Sequence, residues 1–159
     1  MYQVTKTISF AYGHRLLNYS GKCRDLHGHN GKVEIELSAK QLDRRGMVRD
    51  FTEIKAKIQG WIDTNLDHKM ILCKDDPALP LLRNLHEPVF VIGVNPTAEN
   101  LAKLIYDETK RMGFPVTAVR LWETDRSVAT YQPSGVTRAS GRIVQSPPPH
   151  SRRLATRAS

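Results

Sequence analysis

The sequence has only two cysteines, Cys23 and Cys73, and no apolar run long enough to cross a membrane. Two cysteines do not make a disulfide framework, so we expect a protein of a reducing compartment, the cytoplasm. The N-terminus lacks a charged segment followed by an apolar one, which predicts that no signal peptide is present. A length of 159 residues suits a single domain.

Acidic residues are missing from the C-terminal stretch 133–159, which contains five arginines and much Ser and Pro. The formal net charge of the chain is +8, so residues 1–132 carry only +3. This composition predicts a domain over residues 1–132 and a disordered basic tail over residues 133–159. A mildly basic body does not favour nucleic acid as a partner, although it suits an anionic substrate.

Hydrophobic periodicity predicts four strands and two helices. The strands are Tyr2–Phe10, Lys32–Ala39, Val116–Glu123 and Val128–Gln132, and the helices are Thr52–Asn65 and Pro96–Met112. Asn95 is expected to cap the second helix and Pro96 to be its first residue, while the apolar stretch 89–94 is compatible with a short extra strand. The order of elements predicts an α+β fold, a four-stranded antiparallel sheet with two helices on one face. Its open edges favour association into a larger barrel.

Three histidines near the first two strands suggest a metal site. His27 and His29 precede the clearest strand, and residues two apart in an extended chain point to the same side. If the first two strands pair as a hairpin, His14 comes beside them. Three imidazoles with an open fourth position suit a catalytic zinc ion. A His-X-His pair alone is often only polar surface, so the third histidine strengthens this interpretation.

Other polar residues have both a chemical and an ordinary interpretation. Cys23 lies between Lys22 and Arg24, whose charge favours the thiolate, but a single thiol is often inert. Asp67 and His68 follow the first helix, where we expect each side chain to meet a different partner. Each of the other candidates is also compatible with an ordinary role: Asp67 as a helix end, Glu123 as a solvated charge, and Thr97 and Glu99 as first-turn helix residues. These residues indicate a metalloprotein and leave open whether it is an enzyme.

Five blocks of sequence carry a resemblance to a known family. They are residues 10–16 (FAYGHRL), 23–30 (CRDLHGHN), 66–68 (LDH), 95–100 (NPTAEN) and 122–124 (WET). In this order they resemble the 6-pyruvoyltetrahydropterin synthase / 6-carboxytetrahydropterin synthase family over about residues 4–132. The resemblance implies the T-fold, with subunits joining their sheets into a barrel, usually as a hexamer of two trimers.

The resemblance also implies roles for individual residues. The zinc ligands would be His14, His27 and His29. Cys23 matches the general base, and Asp67 and His68 match the pair that works with it, typically reaching in from a neighbouring subunit. Glu123 matches the residue that anchors the pterin ring, and it stands at the end of an apolar strand, where a carboxylate can accept from two ring donors. Thr97 and Glu99 match positions that also contact the pterin.

The substrate that the resemblance implies is 7,8-dihydroneopterin triphosphate. One branch of the family expels triphosphate and forms 6-pyruvoyltetrahydropterin. The other also releases acetaldehyde and forms 6-carboxytetrahydropterin, on the route to queuosine. The short interval from Cys23 to His27 resembles the carboxy branch. A hypothesis of another class is a zinc-stabilised protein without catalytic activity, whose tail binds RNA or another polyanion.

Four features depart from the family pattern. Gly31 stands where many members have an aromatic residue, Gly13 replaces the usual alanine, and Ala98 replaces a hydroxyl residue of some relatives. The connection 73–95 is longer than in compact members. None of these departures removes a residue to which the resemblance gives a role, but Gly31 and Ala98 put the exact substrate in question.

Overall fold

The computed structural model describes residues 1–134, which build one six-stranded sheet with helices on both faces. The strand order across the sheet is β4-β3-β1-β2-β5-β6. The strands are β1 (Tyr2–His14), β2 (His27–Ala39), β3 (Lys69–Cys73), β4 (Val89–Ile92), β5 (Val116–Thr124) and β6 (Ser127–Tyr131). The helices are α1 (Phe51–Ile54), α2 (Gly60–Asn65), α3 (Ala78–Asn84) and α4 (Ala98–Arg111), with a short 3-10 turn at Lys22–Arg24.

The long hairpin of β1 and β2 is the centre of the sheet. The two strands pair antiparallel from Tyr2 opposite Ala39 to His14 opposite His27. Because side chains alternate along a strand, Ile8 and Phe10 point to the same face of β1 as His14. The hydrophobic core and the histidines therefore share one face, and the histidines stand at its end.

The main core lies between this face and the helices α1, α2 and α4. A π-helical stretch, Lys55–Gln59, joins α1 to α2, so residues 51–65 form one continuous helical segment. Asp50 caps this segment, accepting a hydrogen bond from the Thr52 N–H. Four buried side chains, three in this segment and one directly after it, lie four residues apart and pack on the sheet. They are Ile54, Ile58, Ile62 and Leu66.

The prediction of four antiparallel strands was wrong in strand number and in part of the pairing. The short extra strand considered at residues 89–94 is present as β4, and β3 was not predicted. β3 pairs parallel with both β1 and β4, which makes the sheet mixed. A parallel strand is not joined to its neighbour by a hairpin turn, so no turn signal marks β3 in the sequence. Because the strand is covered on both faces, it also lacks polar–apolar alternation and appears only as a short apolar run.

The prediction of two helices on one face also needs correction. α3 lies within the connection 73–95 and packs on the opposite face, where Leu72, Ala78 and Leu79 form a second, smaller core. Leu72 follows Ile71 of the main core along β3, and neighbouring strand residues point to opposite faces. The long connection therefore adds a strand and a helix to the sheet.

The second predicted helix begins later than expected. α4 starts at Ala98, and the Thr97 hydroxyl caps it by accepting from the Asn100 N–H. Asn95 is not the cap, and Pro96 is not the first helical residue. The side chain of Asn95 is used elsewhere: it donates to the Leu17 carbonyl at 3.0 Å and accepts from the Leu17 N–H at 2.8 Å.

The predicted tail, residues 133–159, lies outside the described residues apart from Pro133 and Ser134. The division into a domain over residues 1–132 and a tail therefore stays a prediction. Within the described part of the chain, no helix has the length and apolar character needed to cross a membrane.

Candidate metal and pterin site

Three imidazoles meet at the end of the β1–β2 hairpin. His14 and His27 are directly opposite in the strand register, and His29 lies opposite Tyr12. Ring nitrogens of His14, His27 and His29 all lie within 4.8 Å of one another. The Nε2 atoms of His14 and His29 are 3.1 Å apart. The sequence prediction that these three histidines come together is confirmed as geometry.

Backbone carbonyls fix which nitrogens of this group are free. His14 Nδ1 lies 2.7 Å from the Pro96 carbonyl, and His27 Nδ1 lies 2.8 Å from the Asp25 carbonyl. A carbonyl oxygen only accepts, so both Nδ1 atoms carry the proton and both Nε2 atoms present a lone pair. His27 Nε2 is buried and has no hydrogen-bond partner among residues 1–134. Lone pairs gathered around one point, one of them otherwise unsatisfied, fit a cation such as zinc.

Burial favours the neutral form that a metal ligand needs. His14 is 3% exposed, and this burial lowers its pKa, outweighing the Pro96 hydrogen bond and the charge of Glu123, which raise it. A neutral imidazole keeps its lone pair at neutral pH.

Glu123 of β5 lies beside the three histidines, as expected for a residue of the same site. Its Oε1 atom is 3.7 Å from His14 Nε2 and 4.0 Å from His29 Nε2. The Tyr12 hydroxyl donates to the same oxygen over a long 3.4 Å. Burial, and then the negative charge of Glu123, raise the pKa of Tyr12 and keep it a neutral donor. Sequence reasoning missed Tyr12, although its place two residues before His14 puts it on the same face.

Asp67 and His68 contact each other, so the expectation that each meets a different partner was wrong. His68 Nδ1 lies 2.8 Å from Asp67 Oδ2. The backbone of His68 has a φ of 54°, a left-handed conformation that turns its side chain back towards Asp67. Asp67 Oδ1 accepts from the Ala11 N–H at 2.8 Å, and the His68 N–H donates to the Ala11 carbonyl at 2.6 Å. The pair is therefore fixed to the edge of β1.

The electrostatics of this pair suit proton transfer. Burial of the Asp67 carboxyl opposes its ionisation, but hydrogen bonds from the Ala11 N–H and from His68 outweigh it and lower its pKa. An ionised Asp67 accepts from the Nδ1–H group of His68 and so orients its ring. The His68 side chain is 81% exposed, so its Nε2 can reach groups outside its immediate neighbours.

Cys23 sits in the loop that connects β1 to β2, in the 3-10 turn Lys22–Arg24. It is partly buried. Its carbonyl accepts from the Leu16 N–H at 2.8 Å, which ties the turn to the residues after His14. Of the two flanking cations, Arg24 lies 3.6 Å from Asp25, so part of its charge is balanced locally.

The start of this loop is held by side chains that sequence reasoning did not assign. Arg15 forms two hydrogen bonds to Asp76, one of them from Nε to Oδ2 at 2.8 Å. The Asp76 side chain is fully buried, and its Oδ1 also accepts from the Ala78 N–H at the start of α3. Together with the Asn95–Leu17 bonds, this ion pair anchors the residues that follow His14. An acid at position 76, 61 residues from Arg15, carries no sequence signal for such a pairing.

The positions of Thr97 and Glu99, the two remaining predicted residues, do not distinguish a role in the site from an ordinary role in the helix. Thr97 follows Pro96, whose carbonyl meets His14, so it stands near the site, with its hydroxyl used as the cap of α4. Glu99 is exposed in the first turn of α4. Both placements agree with the ordinary interpretation of first-turn residues, and a contact with pterin stays a prediction.

A groove of about 620 Å³ runs past these groups. Among its lining residues are His27 and His29 from the histidine group, His68 from the acid–base pair, and Met70, Leu85 and Glu87 from the β3–α3–β4 region. The groove thus passes both the histidine group and the Asp67–His68 pair, while Glu123, Cys23, Thr97 and Glu99 are not among its lining residues.

Comparisons with known proteins agree with this geometry. A family model described as 6-pyruvoyl tetrahydropterin synthase matches residues 3–134. This chain belongs to that family. The 6-carboxy-5,6,7,8-tetrahydropterin synthase of Rickettsia bellii is 38% identical over 131 residues, which cover 78% of this chain and 95% of the relative.

Solved structures support the family assignment at the level of the fold. An uncharacterized protein from Wolinella succinogenes is 29% identical, with a TM-score of 0.70, and the alignment covers 82% of this chain and 97% of the other. The 6-pyruvoyl tetrahydropterin synthase of Caenorhabditis elegans has a TM-score of 0.63 at 23% identity, with 84% of this chain and 96% of the other covered. The α+β T-fold predicted from the sequence is confirmed, with six strands in the sheet of this member of the pterin synthase family.

Proposed function

We propose that this chain is a zinc-dependent lyase that converts 7,8-dihydroneopterin triphosphate to 6-carboxy-5,6,7,8-tetrahydropterin, releasing acetaldehyde and triphosphate. The observation that carries the proposal is the convergence of three imidazoles whose ring nitrogens lie within 4.8 Å of one another, with His27 Nε2 buried and without a hydrogen-bond partner among the described residues. Relatives named for this activity, at up to 38% identity, support the choice of reaction. The product belongs to the route to queuosine.

In this proposal His14, His27 and His29 hold the ion at the end of the β1–β2 hairpin. A bound zinc ion would act there as a Lewis acid on the hydroxyls of the substrate side chain. The Glu123 carboxylate accepts from the ring N–H and the exocyclic amino group of the pterin, two donors that match its two oxygens. Thr97 and Glu99 contribute further contacts to the ring.

Proton transfer is assigned to Cys23 and to the Asp67–His68 pair. The Cys23 thiolate removes a proton from a side-chain carbon, and His68 exchanges a proton at a side-chain hydroxyl. Asp67 holds the His68 ring through the 2.8 Å contact at Nδ1, which leaves Nε2 to face the substrate. Because His68 is 81% exposed, we propose that it serves the site of a neighbouring subunit.

We further propose that the protein works in the cytoplasm as a homohexamer of two trimers. The edges of the sheet, β4 and β6, each pair on one side only within the described residues. Exposed strand edges of this kind are completed when subunits join their sheets into a barrel. Sedimentation of the zinc-loaded protein would test this: a monomer at micromolar concentration would contradict the proposal.

The decisive experiment is incubation of the zinc-loaded protein with 7,8-dihydroneopterin triphosphate, followed by mass spectrometry of pterins and acetaldehyde. We expect 6-carboxytetrahydropterin and acetaldehyde in equal amounts. A 6-pyruvoyl product without acetaldehyde would assign the chain to the sister activity with the same site residues. Absence of any turnover by the metal-loaded protein would contradict the lyase proposal.

A variant of Cys23 tests the assigned base. Cys23→Ala should retain the metal and lose turnover, whereas Cys73→Ala, which removes the other thiol from β3, should retain both. If Cys23→Ala retains turnover, Cys23 is not the catalytic base, and the assignment of the metal ligands is unaffected.

A further inference from the structure

The Tyr12 ring is enclosed by the residues of the site. It is 3% exposed and stacks on Phe10, with ring centroids 5.2 Å apart. The ring also lies 5.3 Å from the His14 ring, edge-on, and 5.7 Å from the His29 ring. Aromatic neighbours on several sides leave the ring few orientations, so the direction of its hydroxyl is determined by packing.

Gly31 provides the space that this ring occupies. Gly31 lies opposite Phe10 on β2, and a Cβ atom there would stand 2.8 Å from Tyr12 Cε1 and 3.4 Å from the Phe10 carbonyl oxygen. The carbonyl belongs to the paired backbone and cannot retreat, so a side chain at position 31 would displace the Tyr12 ring. Tyr12 and Gly31 therefore form a matched pair across the two strands.

The Tyr12 hydroxyl contacts the Glu123 carboxylate. It donates to Glu123 Oε1 at 3.4 Å, and the same oxygen lies within 4.0 Å of the Nε2 atoms of two histidines. A carboxylate so near the metal site can rotate towards a cation held there. A bond to a fixed hydroxyl opposes this rotation and restrains the plane of the carboxylate.

We propose that Tyr12 is a positioning residue that orients the Glu123 carboxylate for the substrate ring, and that Gly31 is required because it leaves room for Tyr12. The inference rests on the proposed function, in which Glu123 accepts from two donors of a pterin ring. Two parallel hydrogen bonds form only when the carboxylate lies in the plane of the ring, so its orientation decides both affinity and discrimination.

The test compares two rings bound by the full-length, zinc-loaded protein. Pterin has the 2-amino group, and its 2,4-dioxo analogue, lumazine, lacks this donor. We expect wild-type protein to prefer pterin. Tyr12→Phe keeps the ring and removes only the hydroxyl, so it should weaken pterin binding about tenfold and reduce the preference, with unchanged zinc content. Tyr2→Phe, an exposed tyrosine at the other end of β1, is the matched control.

Each outcome decides a different question. A preference in Tyr12→Phe equal to that of the wild type would overturn the inference and leave the proposed function intact. Equal weakening for both rings would also overturn it, because this is the result expected if Tyr12 only packs. If the wild-type protein binds neither ring, both the inference and the role proposed for Glu123 are overturned.

A second variant tests the pairing with Gly31. Gly31→Ala should displace the Tyr12 ring and reduce the preference for pterin, and adding Tyr12→Phe should cause no further loss of preference. Gly60→Ala, where a Cβ meets nothing within 4 Å, is the control. Additive losses in the double variant would show that Gly31 acts independently of Tyr12. If Gly31→Ala does not fold, Tyr12→Phe alone decides the inference.

Discussion

The histidine group and the Asp67–His68 pair lie on the same groove but are built in opposite ways. His14 is 3% exposed, and its ring is fixed by the Pro96 carbonyl and by neighbouring rings. The His68 side chain is 81% exposed, and in the described part of the chain only Asp67 hydrogen-bonds to its ring. The first group is complete within one chain, whereas the second is oriented but has most of its surface free.

In the proposed reaction, this difference in exposure matches two different requirements. Metal ligands must keep their geometry before substrate arrives, which burial and backbone acceptors ensure. An acid–base residue must instead reach a proton that only the bound substrate brings. The left-handed turn at His68 satisfies this need because it fixes the imidazole to β1 without burying it.

Removing one imidazole should have the largest effect. We expect His29→Ala to weaken zinc binding by more than about 100-fold and to abolish turnover, since loss of a ligand exceeds the effect of losing a residue that only orients one. Zinc affinity is measured by competition with a chelator. His86→Asn, an exposed histidine whose φ of 58° asparagine tolerates, should leave zinc binding unchanged. Zinc binding by His29→Ala at the wild-type level would refute the metal site.

The second prediction tests whether the two groups belong to different subunits. Cys23→Ala and His68→Asn should each be inactive, and co-expression should restore part of the activity, because a mixed oligomer contains sites with one intact half from each chain. Co-expression of Cys23→Ala with His27→Ala should restore nothing, since both changes affect the same half. Mixed oligomers of the first pair that form but stay inactive would show that His68 acts within its own chain.

The third prediction concerns the anchor of the loop after His14. Asp76→Asn keeps the acceptor for the Ala78 N–H but removes the charge opposite Arg15, and should lower the free energy of unfolding by about 2–3 kcal/mol at neutral pH. Denaturant unfolding measures this, with the exposed Asp75→Asn as control.

The same pair predicts a pH dependence. Burial opposes ionisation of Asp76, but the Arg15 hydrogen bonds outweigh it and lower its pKa in the folded state. A lowered pKa stabilises the fold above the pKa of the unfolded state, about 3.9, and this stability is lost as pH falls through the folded value. The difference in the free energy of unfolding between the wild type and Asp76→Asn should therefore become smaller below about pH 4. A difference that persists unchanged in acid would show that the ion pair is not its source.

The smallest expected effect is at Thr97. Thr97→Ala removes the cap of α4 and should cost about 1 kcal/mol of stability, while Thr97→Ser should restore most of it. If the hydroxyl also contacts the pterin, as the family resemblance implies, KM should rise in Thr97→Ala and recover in Thr97→Ser. Unchanged stability in Thr97→Ala would contradict the capping role.

The sequence was most informative where local pattern and chemistry coincide. His14, His27 and His29 could be predicted to meet because strand alternation and a single hairpin determine their side and register. The contact between Asp67 and His68 could not, because it depends on a left-handed backbone conformation at a residue other than glycine. Tyr12 was missed because its hydroxyl becomes a site group only when β5 brings Glu123 opposite it.

The fold shows the same division. β1, β2, β5 and β6 carry alternating patterns or hairpin turns, and each was expected, although β1 ends four residues later and β2 begins five residues earlier than predicted. β3 and α3 were not expected. β3 contributes Met70 to one face and Ile71 to the other, so it has no alternation, and α3 has only seven residues, with Pro80 in its first turn. Their structure is decided by tertiary pairing rather than by local pattern.

The π-helical stretch between α1 and α2 has a consequence for the acid–base pair. Residues spaced by four advance about 40° beyond a full turn of an α-helix, so Ile54, Ile58 and Ile62 would drift off the sheet. A wider turn at Lys55–Gln59 corrects this phase, and all three stay at 1% exposure or less. Asp67 lies two residues after the end of α2, so the rotation of the helix about its axis also sets the direction in which Asp67 leaves it. Because this turn already accommodates about one extra residue, deleting Ala56 should convert it to a regular α-helical turn and leave Asp67 close to its place. Inserting one residue into α2 would instead rotate everything after it by about 100° and advance it by about 1.5 Å, moving the His68 imidazole off the groove while leaving every site residue in the sequence.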